Sequence, residues 1–252
     1  MKKILVIGAA GMIGRKLVAR LKKDGAGELI QQDVVPFDGG IVSDLSKPGE
    51  AEKLIIKRPD LVFHLAAVVS GEAEADFEKG YRVNLDGTRY LFEAIRKVGE
   101  GYRPKVVFTS SIAVFGAPFP EAIGDEFLNA PLTSYGTQKA ISELLVKDYS
   151  RKSFVVGRAL RLPTVVVRPG RPNRAASTFA SSMIREPLAG RAGICPGTSR
   201  PPQLPGFSVE VGETAASVSR AGGEEASARI RWVPEPIISL ACFTRERFLQ
   251  RV

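Results

Sequence analysis

Aspartate is absent from this 252-residue chain after Asp148, and lysine is almost absent. Residues 151–252 carry 15 arginines, one lysine and seven glutamates, against 20 basic and 20 acidic residues in the first 150, so all of the formal net charge of +9 lies in the second part. That excess has no interleaved aromatics and reads as a composition bias or a solvated face, so no nucleic-acid partner is expected. A single histidine, His64, excludes a multi-histidine metal site, and its place at the end of an apolar run suits a structural role. Two cysteines, Cys195 and Cys242, make neither a disulfide framework nor a metal cluster, so no metal is expected. Their scarcity points to a reducing compartment, hence a cytoplasmic protein. No apolar run approaches the roughly 18 residues of a membrane span, so no membrane partner is expected. The opening "MKKILVIGAAGMIG" has a leader's apolar run, but glycine breaks it early and it reads as a first strand.

What is present is 44% apolar residues, enough for a substantial core. The first part alternates strand and helix signals. "KKILVIG" feeds a glycine turn, and "MIGRKLVARLKKDG" then spaces Met12, Ile13, Leu17, Val18 and Leu21 as one helical face. "ELIQQDVV" reads as a strand and "SKPGEAEKLIIKRPD" as a helix between Pro48 and Pro59. "DLVFHLAA" is a strand, residues 73–98 a long helix, "PKVVFTSS" a strand, "SYGTQKAISELLVKDYS" a helix and "ALRLPTVVVRPG" a strand. Alternating units with near-continuous apolar strands give an α/β fold with a doubly wound parallel sheet, its ligand crevice at the carboxyl ends of the strands. After Gly170 the pattern decays into Pro, Gly and Arg, with weaker helical signals at 211–231 and in the last stretch.

"GAAGMIG" places Gly8, Gly11 and Gly14 between the first strand and the first helix, with Met12 and Ile13 at the helix start. Glycine permits a sharp turn and a close backbone approach to a pyrophosphate, while the helix N-terminus offers free amides and a favourable dipole. Asp33, at the end of the second strand, is placed to accept hydrogen bonds from ribose hydroxyls and to repel a 2′-phosphate, which favours NAD over NADP. Arg15, just past the glycines, softens that preference. Asp44 and Leu45 in "SDLSKP" stand where side chains border an adenine ring, while Ser46 suits a helix N-cap. Leu65, Ala66 and Ala67 are small or apolar, as backbone close to a dinucleotide requires, and Ser70 follows within reach of a substrate. Tyr135 and Lys139 stand four residues apart at the head of a helix and so share its face.

In this order, "GAAGMIG", "HLAA", "RVNLDGT", "VVFTSSIAVFG" and "SYGTQK" resemble the extended short-chain dehydrogenase/reductase family, which also contains nucleotide-sugar epimerases and dehydratases. Longer stretches, "TSSIAVFGAPFP", "PLTSYGTQKAISELL" and "RPGRPNRAAS", are similar to members that oxidise the C2 hydroxyl of a four-carbon sugar acid with NAD; the similarity spans residues 1–190. The resemblance implies a Rossmann domain binding NAD over residues 1–170, a substrate lobe over 171–252, and a small hydroxy acid as substrate. It makes Tyr135 the general base, Lys139 its partner and holder of the nicotinamide ribose, and Ser111 the group that orients the reacting oxygen. A tyrosine of pKa about 10 is a poor base near neutrality. A neighbouring ammonium and a positive nicotinamide ring would lower that value. Asn84 falls where members contact the cofactor; helix capping or backbone satisfaction is the structural alternative. Asn173 and Arg174 begin the substrate side, where an arginine can pair bidentately with a carboxylate. Family members pair through helices matching 73–98 and 135–150, which implies a homodimer with a four-helix interface.

The second part departs from the family pattern. "REPLAG" runs into "RAGICPGTSRPPQ" and resumes with the family-like "LPGFSVEVGET", so a middle segment is missing, by internal deletion or altered reading frame. The expectation is a small, loop-rich substrate lobe with little capacity to exclude water. Two other readings therefore stand beside the dehydrogenase: a nucleotide-sugar epimerase or dehydratase, and an NAD-binding protein with impaired catalysis that docks partners through its arginines.

Overall fold

Strand β1 (Lys3–Ile7) is buried at four of its five positions, and its side chains alternate between two hydrophobic cores. Ile4 and Val6 pack with Val18 and Leu21 of helix α1 (Met12–Lys23), together with Phe63 and Val107. Leu5 and Ile7 face the other way, against Leu54 and Ile55 of α2 (Glu50–Ile55) and Leu91, Phe92 and Ile95 of α5 (Gly87–Val98). A strand apolar at successive positions is what a sheet covered on both faces requires. Each fully buried large aliphatic side chain contributes about 1.5–3 kcal/mol. The computed structural model describes residues 1–120, 123–124, 127–167 and 178–190.

The remaining strands are β2 (Glu28–Asp33), β3 (Ile41–Val42), β4 (Leu61–His64), β5 (Lys105–Ser111) and β6 (Val156–Leu162). They form one sheet in the order β3-β2-β1-β4-β5-β6, and every neighbouring pair is parallel. The chain winds outward from β1 to β3, then crosses back to β4 and winds the other way. This is the doubly wound Rossmann arrangement expected from the sequence, with its switch point between β1 and β4, where such folds bind ligands at the carboxyl ends of the strands.

Four local features differ from the sequence reading. The helical stretch over 73–98 begins earlier, as α3 (Ser70–Ala75), and breaks at Asp76, whose carboxylate caps α4 (Phe77–Gly80) by accepting from the Lys79 amide. A π-helical turn (Tyr81–Asp86) then leads into α5. The last strand starts at Val156 and stops at Leu162. Pro163 follows and has no N–H to continue the ladder. The N-cap of α2 is Gly49, at φ +85°, and not Ser46, which the turn through Lys47 and Pro48 keeps out of the helix. Helix α7 (Thr178–Leu188) occupies a region whose pattern reads as loop from Arg185 on; Pro187 is tolerated in its final turn. The helical signals at 211–231 and in the last stretch lie outside the described residues, as do Asn173, Arg174, Cys195 and Cys242. Among the described residues no helix is long and apolar enough to cross a membrane, and no group of histidine, cysteine or acidic side chains could hold a metal ion.

Candidate active site

The glycine turn after β1 is defined by what it leaves no room for. Gly8 has φ +83°, and a Cβ there would lie 2.8 Å from the Ala66 amide nitrogen and 3.1 Å from the Leu65 carbonyl carbon. A Cβ on Gly14 would collide with the Gly8 carbonyl oxygen and meet Ala9 at 2.8 Å. Helix α1 therefore starts tight against β1, with Gly11 as an N-cap that offers no side chain. Its first turn, Met12–Gly14, has amides with no intrahelical partner and no acidic residue to cap them. Such an end binds phosphate oxygens.

Asp33 organises this turn from the end of β2. Its Oδ2 accepts from the Ala10 amide at 2.9 Å, and its Oδ1 from Val34 at 2.7 Å and Val35 at 3.3 Å. A carboxylate has about four acceptor positions, so three are used by the backbone and one remains for a ribose hydroxyl. Arg15 is committed as well, donating through Nε to the Ala10 carbonyl at 2.7 Å. Asp44 caps its own turn, accepting from the Ser46 amide at 3.0 Å and hydroxyl at 2.7 Å, while the Leu45 side chain is buried in the core. Leu65, Ala66 and Ala67 follow β4 beside Gly8 and are half-buried.

Asn84 is tied into the protein by its side-chain amide. Its Oδ1 accepts from the Val68 amide at 2.9 Å, and its Nδ2 donates to the Val68 carbonyl at 3.2 Å and to Gln138 Oε1 at 2.7 Å. Backbone satisfaction, open from the sequence, is thus present, and the cofactor contact implied by the resemblance stands beside it as an expectation. The consequence is functional nonetheless, because this clamp ties the segment after β4, which leads to Ser70 at the start of α3, to helix α6 (Ser134–Arg151). Gln138 was not singled out by sequence reasoning, although its place between Tyr135 and Lys139 on one helix was a usable signal.

Helix α6 starts on Thr133, whose hydroxyl accepts from the Gly136 amide at 3.0 Å, and the Glu74 carboxylate accepts from the Ser134 amide at 3.0 Å. This end sets Tyr135 against the carboxyl end of β5, where the Ser111 hydroxyl lies close enough to influence its phenol. Ser111 is itself fixed, accepting from the Ala113 amide at 3.1 Å. One turn on, Lys139 is 2% exposed; its Nζ donates to the Thr109 carbonyl at 2.7 Å and lies 4.6 Å from the Phe108 ring centre and 5.7 Å from that of Tyr135. Tyr135, Lys139 and Ser111 thus meet as the sequence reading expected.

The electrostatics are less simple than that reading. Burial pushes the Tyr135 phenol above its ordinary value, with the Ser111 hydroxyl working against it. Burial also pulls Lys139 down to about 7, opposed by the Glu143 carboxylate. The expected lowering of the tyrosine by its lysine is therefore not supplied by these side chains alone. His64 lies beneath them, 2.9 Å from the Thr88 hydroxyl, and burial together with the Lys139 charge holds it down at about 3. It is a neutral structural histidine, as its position in the sequence suggested.

Sequence reasoning also missed a network beside Lys139. Arg161 of β6 donates to both carboxylate oxygens of Glu143, at 3.0 and 2.8 Å, and to Asn129 Oδ1 at 2.8 Å; Asn129 returns a bond to Glu143 at 3.0 Å. Glu143 stands four residues beyond Lys139, a spacing already visible in "KAISE".

Comparison with known proteins agrees with this fold. A model of the NAD dependent epimerase/dehydratase family matches residues 4–201. The chain is 40% identical to a D-erythronate dehydrogenase of Cupriavidus necator over 279 positions, covering 92% of this chain and 86% of that one. Those 279 positions outnumber the 252 residues here, so the pairing passes over positions that this chain lacks. Among solved structures, a nucleoside-diphosphate-sugar epimerase of Agrobacterium tumefaciens shares 58% identity with a TM-score of 0.72, covering 78% of this chain and 63% of that chain. A UDP-glucose 4-epimerase of Thermus thermophilus in complex with NAD shares 27% identity with a TM-score of 0.66, covering 75% of this chain and 63% of that chain. This chain therefore spans less than two thirds of either solved relative.

Proposed function

Because the chain belongs to the NAD dependent epimerase/dehydratase family, we propose that it is an NAD-dependent dehydrogenase oxidising the C2 hydroxyl of a small sugar acid of the D-erythronate type. The observation that carries this reading is the meeting of Tyr135 and Ser111 at the end of β5, one helical turn from a buried Lys139. In this reading the turn of Gly8, Gly11 and Gly14, with the Met12 and Ile13 amides, holds the pyrophosphate, Asp33 the adenosine ribose, and Asp44 with Leu45 the edge of the adenine site. The backbone of Leu65, Ala66 and Ala67 bounds the crevice, with Asn84 fixing it from behind.

Bound NAD would supply the hydride acceptor and the positive charge of its nicotinamide ring. The side chains of this chain do the rest. Ser111 orients the C2 oxygen, Tyr135 Oη takes the hydroxyl proton, and Lys139 holds the nicotinamide ribose. The substrate loses a hydride and a proton and becomes a keto acid. Burial alone leaves Tyr135 protonated, so its base form depends on positive charge arriving with the cofactor. Ser70 lies on the substrate side, joined by Asn173 and Arg174 of a lobe over residues 171–252 that completes an NAD-binding unit over 1–170. We place the protein in the cytoplasm as a homodimer built on the helices at 73–98 and 135–150; Leu144 of α6, 62% exposed, supports that face.

Mixing NAD, D-erythronate and protein should raise the absorbance of reduced nicotinamide. A second reading, a nucleotide-sugar epimerase, is favoured by the 58% identity to a structure so named. It predicts interconversion of a nucleotide sugar with no net reduced cofactor. Tight NAD binding with neither activity would leave an NAD-binding protein without catalysis.

A further inference from the structure

The row of Tyr135 and Lys139 on α6 continues to Glu143, and the network around Glu143 has no part in the mechanism above. The Glu143 and Arg161 side chains are 10% and 28% exposed, and their pairing is bidentate. A buried ion pair gains little stability over apolar packing, because desolvation offsets the attraction. Its placement is more informative than its strength. Arg161 stands opposite Ser110 on β5, the residue after the Thr109 that receives Lys139 Nζ. Asn129, in the segment leading to α6, closes the triangle. Three elements thus converge to hold one carboxylate a single helical turn from the lysine.

We propose that Glu143 is a positioning residue that sets the charge on Lys139, and that Arg161 limits how far its negative field reaches. The inference rests on the dehydrogenase reading of the same site. The charged and titratable groups facing Lys139 are few. Tyr135 and Glu143 come from its own helix and neutral His64 from β4, Arg161 of β6 is paired with Glu143, and β5 adds the Thr109 carbonyl and the Phe108 ring. Glu143 is thus the one described anion opposing the burial of the ammonium. An ammonium that stays protonated near neutrality is the form that can stabilise a phenolate on Tyr135 and bind ribose hydroxyls as a donor.

The test follows the titration of Lys139 Nζ by nuclear magnetic resonance on the full chain without cofactor, using isotope-labelled lysine and Lys139→Met for assignment. In Glu143→Gln the midpoint should fall by about one unit or more. In Arg161→Gln it should rise, because the carboxylate is no longer shared. Opposite directions are what a purely structural role would not produce. Midpoints that stay put, or move the same way in both variants, overturn the proposal. Should Glu143→Gln fail to fold, the double variant Glu143→Gln with Arg161→Gln keeps amides able to hydrogen-bond, and its midpoint should still fall, by less; an unchanged midpoint there also overturns the proposal. Midpoints moving as stated without D-erythronate turnover would defeat the dehydrogenase reading and leave this one standing. Turnover with still midpoints would do the reverse.

Discussion

The cofactor turn and the helix row beside it are built by opposite means. Around Gly8, Gly11 and Gly14 the work is steric and local: a positive φ, two positions where a Cβ cannot fit, and a carboxylate that gathers the amides. Nothing there depends on the protonation of a buried group. Along α6 the spacing is just as regular, yet burial drives Tyr135 up and Lys139 down, each toward its uncharged form. The turn is finished by the chain; the row is finished by charge.

That contrast can be broken at several points, the largest first. On the proposed dehydrogenase mechanism, Tyr135→Phe should reduce turnover of D-erythronate by roughly 100- to 10,000-fold, the range of a lost general base, as read in steady-state rates. Next comes the pH dependence of stability. Lys139 titrates at about 7 in the folded chain against 10.5 ordinarily. Between those values the unfolded chain holds a proton that the folded one lacks, so stability rises with pH across the window, and below it the penalty is complete. Urea unfolding should show that rise, and Lys139→Met should abolish it while raising stability at neutral pH by a few kcal/mol. Gly14→Ala, which drives a methyl into the Gly8 carbonyl, should cost about 1–3 kcal/mol and weaken NAD binding at least about tenfold. Asp33→Asn keeps an acceptor for the Ala10 amide but removes the charge, so it should cost only about 1 kcal/mol of NAD affinity.

Most of the sheet was legible because strands buried on both faces write themselves as apolar runs, as in "KILVI" and "KVVFTSS". The glycine turn was legible for a related reason: only glycine satisfies its sterics, so the requirement appears as residue identity. Boundaries set by single hydrogen bonds were not. Asp76 breaking the helix before α4, and Gly49 taking the cap of α2 from Ser46, each depend on local geometry that the periodicity does not carry. The meeting of Tyr135, Lys139 and Ser111 was readable from spacing and resemblance together. Their electrostatics were not, since the burial that shifts them arises only once α6 packs on the sheet. Glu143 shows the gap most plainly: its spacing from Lys139 is visible, but its partner Arg161 is 18 residues away in sequence and is brought there only by the pairing of β6 with β5.

The most direct test is NAD titrated by calorimetry into Tyr135→Phe at neutral pH, with turnover assayed on the same sample. A turn complete in itself predicts an affinity within about threefold of the unsubstituted chain, under 1 kcal/mol, alongside lost turnover. An affinity weakened by more than about tenfold, or turnover that persists, would contradict the separation of the two regions.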